Sequence, residues 1–235
     1  AGWMRRDGFA IRTRIIPLGS HADSPDLAGG RGMSAAPLVS VCIITFNHER
    51  YIRECIESVL GQRTDFDFEI IAGDDASTDA TVSIIEHIAA GSARRIRVIR
   101  HDPKVGGTAN MLSVHNAASG EFVAHLDGDD VMLPGKLQVQ VDFLRAHARH
   151  VIVAHDMEII DENSAPVGPN FGIGREPPSA DLSELVTRGC YFAHSSKMYR
   201  RTAAPIREPD RETVDFLFHI DQARNGLVGY LTQPL

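Results

Sequence analysis

Residues 38–62 read LVSVCIITFNHERYIRECIESVLGQ, and the change of rhythm after Thr45 sets the fold class. LVSVCIIT is a nearly continuous β-rich run, the pattern of a strand covered on both faces. ERYIRECIESVLGQ then places Tyr51, Ile52, Cys55, Ile56, Val59 and Leu60 on one helical stripe, with Gly61 at its end.

The same alternation continues outward from this unit. FEIIAG predicts a second strand, and DDASTDAT leads to a helix carrying Val82, Ile85 and Ile88, with Ser77, Thr78 or Asp79 as its cap. IRVIR is a third strand. HDPKVGGTANM turns into a helix running to about Ala118, and GEFVAHL is a fourth strand. The helix after Pro134 runs to about His147, with Leu137, Val141 and Leu144 on one face. Alternating strands and helices imply right-handed crossovers and a mainly parallel, Rossmann-like sheet with helices on both faces. Past VIVAHDMEII the regularity weakens. Residues 162–180, ENSAPVGPNFGIGREPPSA, form a Gly/Pro-rich loop expected to act as a lid or to meet an acceptor. A short helix at Asp181–Thr187, a strand SSKMYR, a helix over Thr213–Asn225 and a last strand VGYLT complete the pattern.

Composition narrows the function. The chain has 235 residues, with 24 Lys and Arg against 31 Asp and Glu, a net charge of −7. That balance argues against a nucleic-acid partner held by broad phosphate attraction. No apolar run approaches the roughly 20 residues of a membrane-spanning helix. Cys42, Cys55 and Cys190 are scattered and odd in number, which suits a reducing cytoplasm and three buried small side chains. No His/Cys spacing suggests a zinc site, and His125 and His155, on apolar strands, read as satisfied core histidines. Residues 1–34 lack sustained periodicity and read as a flexible leader, whose early arginines allow contact with a membrane surface.

The chemistry lies where strands end. TFNHE follows the first strand, GDDASTD the second and DGDDVMLP the fourth. In an open parallel sheet, ligands bind beyond the carboxyl ends of strands where the strand order reverses. If the fourth strand lies beside the first, these loops meet in one crevice. Crowded carboxylates repel each other and resist desolvation, and a hard dication with oxygen ligands offsets both costs. The pattern therefore predicts a Mg2+ or Mn2+ site that also holds substrate phosphates.

VSVCIITFNHERYIRECIESVLGQ, FEIIAGDDASTDAT and GEFVAHLDGDDVMLPGKL together closely resemble the family 2 glycosyltransferases of GT-A fold. The likeness runs from about Leu38 to the last residue and is strongest up to Leu137. It implies a single GT-A domain over residues 35–235, with a nucleotide-sugar-binding part at 38–137 and an acceptor-side part at 150–235. It also implies inverting transfer from a nucleotide sugar, often a UDP-sugar, with Mn2+ or Mg2+. The acceptor would be a carbohydrate or lipid-linked hydroxyl in bacterial surface polysaccharide or glycolipid assembly. A cytoplasmic place follows, with peripheral contact to the inner membrane allowed.

Residue by residue, the resemblance sets Thr45, Phe46 and Asn47 against the nucleobase, with Phe46 stacking on uracil. Ile44 stands where Pro is usual. Asp74 and Asp75 match the second-loop acidic pair. Asp75 is expected to accept from uracil, and Asp74 either shares this role or braces the loop. Asp127 and Asp129 match the D-x-D motif: Asp129 as direct metal ligand, Asp127 reaching the ribose or the metal through water, and Asp130 as a brace. Asn110 is expected beside the donor, with Gly106 and Gly107 allowing close backbone approach.

The catalytic base of an inverting transfer must come from another segment, across the sugar from the metal. By resemblance it is Asp215, although Val214 replaces the usual Gly; Glu212 and Asp221 compete for the role. His194 and Ser195 are placed on the acceptor side. Two other readings stay open. DGDDVM superficially matches the nucleophile motif of haloacid dehalogenase-type phosphatases, though three βα units precede it. A non-catalytic sugar-nucleotide-binding subunit would keep Asp75 and Asp129 and need no base.

Overall fold

The computed structural model describes residues 36–168, 177–202, 206 and 215–235, and the backbone of 12–14. Those three residues form a short strand, β1 (Arg12–Arg14), laid antiparallel on Glu158–Ile160.

The central strand is β2 (Val39–Thr45), and α1 (Ile52–Leu60) follows with Ile52, Cys55, Ile56 and Val59 buried. Next come β3 (Phe68–Asp74), α2 (Thr81–Gly91) and β4 (Ile96–Arg100). The cap of α2 differs from expectation. Ala80 is the N-cap, because Ser77 bonds Asp74 and Thr78 N–H bonds Asn47; Asp79 Oδ1 accepts from Thr81 N at 2.9 Å. After α3 (Gly107–Asn116), β5 (Phe122–Asp127) returns to the free side of β2, and α4 (Lys136–Ala146) follows.

Two strands, β6 (His150–Asp156) and β7 (Glu158–Ile160), lead to the long loop, whose residues 169–176 lie outside the described residues. A two-residue strand β8 (Ser179–Ala180) and α5 (Leu182–Arg188) follow, with Asp181 capping α5 through Glu184 N–H at 2.9 Å. The stretch SSKMYR is only partly extended. It opens as a 3-10 turn, His194–Ser196, and then forms β9 (Met198–Arg200). The chain ends with α6 (Asp215–Ala223) and β10 (Leu227–Pro234).

The main sheet has the order β4-β3-β2-β5-β9-β6-β10-β8. β2 pairs in parallel with both β3 and β5, so the order reverses beside β2. β9 runs antiparallel between β5 and β6. Alternation along each strand sorts the core into two layers. Val39, Val41, Ile43, Phe122, Ala124 and Leu126 meet α1, α2 and α4. Cys42, Ile71, Val123 and Tyr199 meet α3, α5 and α6. His125 shares the parity of Val123 and so faces the second layer. Cys42 and Cys55 are buried as expected, whereas Cys190 is exposed, with its Sγ 3.6 Å from His219 Nδ1.

Candidate active site

The expected crevice forms because three loops leave the sheet at one level. Thr45 lies opposite Asp74, Asp75 N donates to Thr45 O at 3.0 Å, and Gly128 N donates to Ile44 O at 2.9 Å. The first two loops are stitched together. Asn47 Oδ1 accepts from Thr78 N at 2.8 Å, Asn47 N donates to Ser77 Oγ at 2.9 Å, and His48 N donates to Thr81 Oγ1 at 2.8 Å. Asn47 holds a positive φ of 54°, a conformation that Asn tolerates better than most residues.

The acidic pair divides its work. Asp74 is buried and accepts from both the N–H and the hydroxyl of Ser77, so it braces its own loop. Asp75 Oδ1 accepts from Val105 N at 2.7 Å and Gly106 N at 3.1 Å. It thereby draws the segment before α3 over the crevice, where Gly106 needs its positive φ of 92°. This brings Lys104 Nζ to 3.0 Å from the ring centre of Phe46, so one face of that ring carries a cation. Asn110 does not reach the crevice. It is buried on β3, donating to Gly73 O at 2.9 Å, and a Cβ on Gly73 would lie 2.2 Å from its Oδ1.

The D-x-D acids sit at the mouth. Asp127 keeps 30% of its side chain exposed, and its Oδ1 lies 3.1 Å from His125 Nε2. Burial pushes the Asp127 carboxyl above its ordinary range, against the opposing pull of His48 and Lys197. Burial also raises Asp129; His48 opposes the shift and the charge of Asp127 adds to it. Gly128 between them is required by crowding. A Cβ there would come within 2.9 Å of His48 Nδ1 and of Thr45 Cβ and Oγ1. Thr45 Oγ1 and His48 Nδ1 are buried with no hydrogen-bond partner. Two orphaned polar atoms beside two carboxylates raised by burial fit a site that a hard cation and its oxygen ligands complete.

Several supports of this site carry no local signal in the sequence. His194 and Ser195 do not line an open acceptor face. Both are buried, and Ser195 Oγ accepts from Asp127 N at 3.0 Å. Lys136 and Gln140 of α4 pin the 3-10 turn by donating to Ser195 O and Ser196 O. Burial lowers the Lys136 ammonium to about 7, with Asp130 pulling the other way. His125 is buried, but it touches Asp127 and is no mere core residue. His155 is bonded at Nδ1, to Asp156 O at 2.7 Å, while its Nε2 has no partner. The sequence spacing showed no metal-like cluster, yet His115, His125 and His194 offer nitrogens within 4.8 Å of one another.

Asp215 is the first residue of α6, and its side chain, like Glu212, lies outside the described residues. Asp221 is 72% exposed and pairs with Arg224 at 3.3 Å. Six residues along a helix also turn it about 120° away from Asp215.

The model of the family described as "Glycosyl transferase family 2" matches residues 40–205. The chain belongs to this family. Membership sets the phosphatase reading aside. A "Putative glycosyltransferase EpsE" of Bacillus subtilis is 34% identical over 173 residues, covering 73% of this chain and 59% of that protein. A "GalNAc(5)-diNAcBac-PP-undecaprenol beta-1,3-glucosyltransferase" of Campylobacter jejuni is 34% identical over 116 residues, 49% of this chain and 37% of that protein. Among solved structures, S. aureus TarS 1-349 superposes with a TM-score of 0.62 at 21% identity, covering 83% of this chain and 60% of that one. The likeness supports the GT-A architecture. TarS 1-349 in complex with UDP gives 0.55 at 25% identity, covering 69% and 46%. The family 2 chain described here thus spans less than two thirds of these relatives' lengths. No helix among its described residues is long and apolar enough to cross a membrane.

Proposed function

We propose that this chain carries the donor-binding and catalytic part of an inverting, dication-dependent transferase. It would move a sugar from a UDP-sugar to a hydroxyl of a carbohydrate or lipid-linked acceptor, in bacterial surface polysaccharide or glycolipid assembly. The observation that carries this reading is the pair Asp127 and Asp129. Both leave β5 beside β2, where the sheet order reverses, and both are held above the ordinary carboxylate range by burial. The TarS complex with UDP supports the uridine donor, and the Campylobacter relative's name supports a lipid-linked acceptor. A cytoplasmic place, with peripheral contact to the inner membrane at such an acceptor, belongs to the same reading.

When bound, Mn2+ or Mg2+ would offset the negative charge of the departing diphosphate. Asp129 supplies the direct carboxylate ligand, and Asp127 reaches the ribose or, through water, the ion. Thr45, Phe46 and Asn47 line the base pocket. Asp75 closes it by holding the Val105–Gly106 backbone, with Gly106 N shared by both oxygens at 3.1 Å, and accepts from uracil with a remaining lone pair. Asp215, at the start of α6, takes the proton of the acceptor hydroxyl, a role worth about 10²–10⁴ in rate.

The test compares Asp129→Asn with Asp215→Asn by calorimetric titration of UDP with Mn2+ and by turnover of UDP-sugars. D129N is expected to lose the Mn2+-dependent part of UDP binding, and D215N to keep binding while losing turnover. UDP affinity indifferent to Mn2+ in the unaltered chain would remove the dication. Full turnover by D215N would remove the base, and binding without turnover on any donor would favour the non-catalytic subunit.

A further inference from the structure

Buried imidazoles need partners, because an unsatisfied polar group in a core costs about 1–3 kcal/mol. His115 on α3 and His125 on β5 are 2% and 1% exposed, and the partners they find form a line. Tyr199 Oη lies 2.7 Å from His115 Nδ1, His115 Nε2 lies 2.9 Å from His125 Nδ1, and His125 Nε2 lies 3.1 Å from Asp127 Oδ1. The ring planes are tilted by only 6° for His115 with Tyr199 and 28° for His115 with His125, with ring centres 5.7 and 5.1 Å apart, so the facing nitrogens lie between the centres. Ring N–H groups lie in the ring plane, so this is the geometry of hydrogen bonding through ring edges. Other rings wall the line in. His194 packs on His125 at 3.8 Å between centres, and Phe218 meets His115 edge-on at 5.3 Å.

One arrangement of protons satisfies every member. A carboxylate only accepts, so His125 carries its proton on Nε2 and accepts at Nδ1. His115 must then donate from Nε2 and accept at Nδ1, where the Tyr199 hydroxyl donates. Burial, with lesser contributions from His125 and Lys197, holds His115 well below its usual range, in keeping with a neutral ring. All three dipoles then point at Asp127 and strengthen one another.

We propose that Tyr199, His115 and His125 form a positioning relay for the D-x-D motif. It holds Asp127 by Oδ1, turns Oδ2 toward the dication and diphosphate, and offsets the repulsion between Asp127 and Asp129. These residues touch no substrate; they act through Asp127. The inference rests on the reading of Asp127 and Asp129 as the dication site. It also accounts for two of the three clustered histidines, since the facing nitrogens of His115 and His125 are already bonded to each other.

The experiment measures Mn2+ affinity in the presence of UDP, from the spin-resonance signal of free Mn2+, alongside melting without the ion. Outer partners of metal ligands commonly contribute about tenfold or more in affinity, so His125→Leu is expected to weaken Mn2+ at least about tenfold. His125→Gln, whose amide can donate to the same oxygen, should recover most of the loss, and Tyr199→Phe should show a smaller weakening. Nitrogen NMR of the unaltered chain should find the Nε2–H form at both His115 and His125. If D129N abolishes Mn2+ binding while H125L binds like the unaltered chain, the relay is overturned and the dication site stands. If the unaltered chain binds no Mn2+, the site reading falls and takes the relay with it. An Nδ1–H form at either ring, or a transition metal bound among the three imidazoles, also overturns the relay. Should H125L fail to fold, H125Q, Y199F and the NMR assignment still decide the matter.

Discussion

Strands β3, β2 and β5 lie parallel and adjacent, and their inner faces are packed with Val41, Ile43, Ile70, Ala72, Ala124 and Leu126. Beyond β5 the sheet continues through β9, which runs the other way, and the burial changes character. His194, Ser195, Ser196, Lys197 and His219 are all buried there. The strands of the first half are packed chiefly by apolar contact, and its polar bonds gather at the strand ends. The second half is held by hydrogen bonds that converge on the back of the D-x-D strand. Apolar contact is nondirectional, whereas a buried polar network fixes geometry. The two halves therefore divide the labour: one supplies the acidic tips and the other aims them.

The largest effect that could break this division lies in the donor half. Asp75 ties two loops there, its carboxylate accepting from Val105 N and Gly106 N. Hydrogen bonds to a charged acceptor are worth about 1.5–3 kcal/mol each, not fully additive, so D75A should lower stability by about 3 kcal/mol in urea unfolding. UDP affinity should fall with it, because the 103–106 segment loses its tie. D75N, which retains one acceptor, should fall between the two. A D75A chain of unaltered stability would mean that the crevice is not closed from within.

A smaller effect tests the other end of the same half. Glu69 is buried beneath β2, where its Oε1 accepts from Ser40 Oγ at 2.7 Å, Ser119 Oγ at 2.6 Å and Ser119 N at 3.0 Å. Burial would raise its carboxyl, but these bonds and Arg95 outweigh that and lower it. A folded value below the unfolded one, near 4.3, means that stability is full above that range and is lost as pH falls through the lower folded value. E69Q should cost about 1–2 kcal/mol at neutral pH and flatten the acid limb of the stability curve. Equal acid limbs in the two proteins would show that Glu69 is not held as an anion.

The same division explains what could be read from the chain alone. The donor half was legible because each strand, helix and acidic loop is contiguous: LVSVCIIT, GDDASTD and DGDDV carry their signals within a few residues. Even so, Asn110 looked like a ligand contact and is a brace, since its partner Gly73 is a backbone carbonyl that no side-chain pattern reports. The polar seam was illegible for a different reason. His115 and Tyr199 are 84 residues apart, and Gln140 and Ser196 are 56 apart. Each looks like an isolated polar residue until topology inserts β9 beside β5. The base assignment to Asp215 is a proposal that follows from family resemblance.

The last effect concerns the sign of a slope, and it probes the seam itself. Lys136 is 1% exposed, donates to Ser195 O, and is lowered by burial to about 7 from 10.5. Between those two values the unfolded chain holds a proton that the folded chain has released, so unfolding takes up protons and stability rises with pH. Below about 7 both states are protonated and the cost of burying the charge is constant. Lys136→Met removes this slope without removing much volume. The stability difference between K136M and the unaltered chain, from urea midpoints at several pH values, should therefore move in favour of the unaltered chain from pH 7 to pH 9. A difference that stays flat over that interval would mean that the lysine keeps its proton, held by Asp130, and the seam would then be an ionic joint in place of a network of neutral hydrogen bonds.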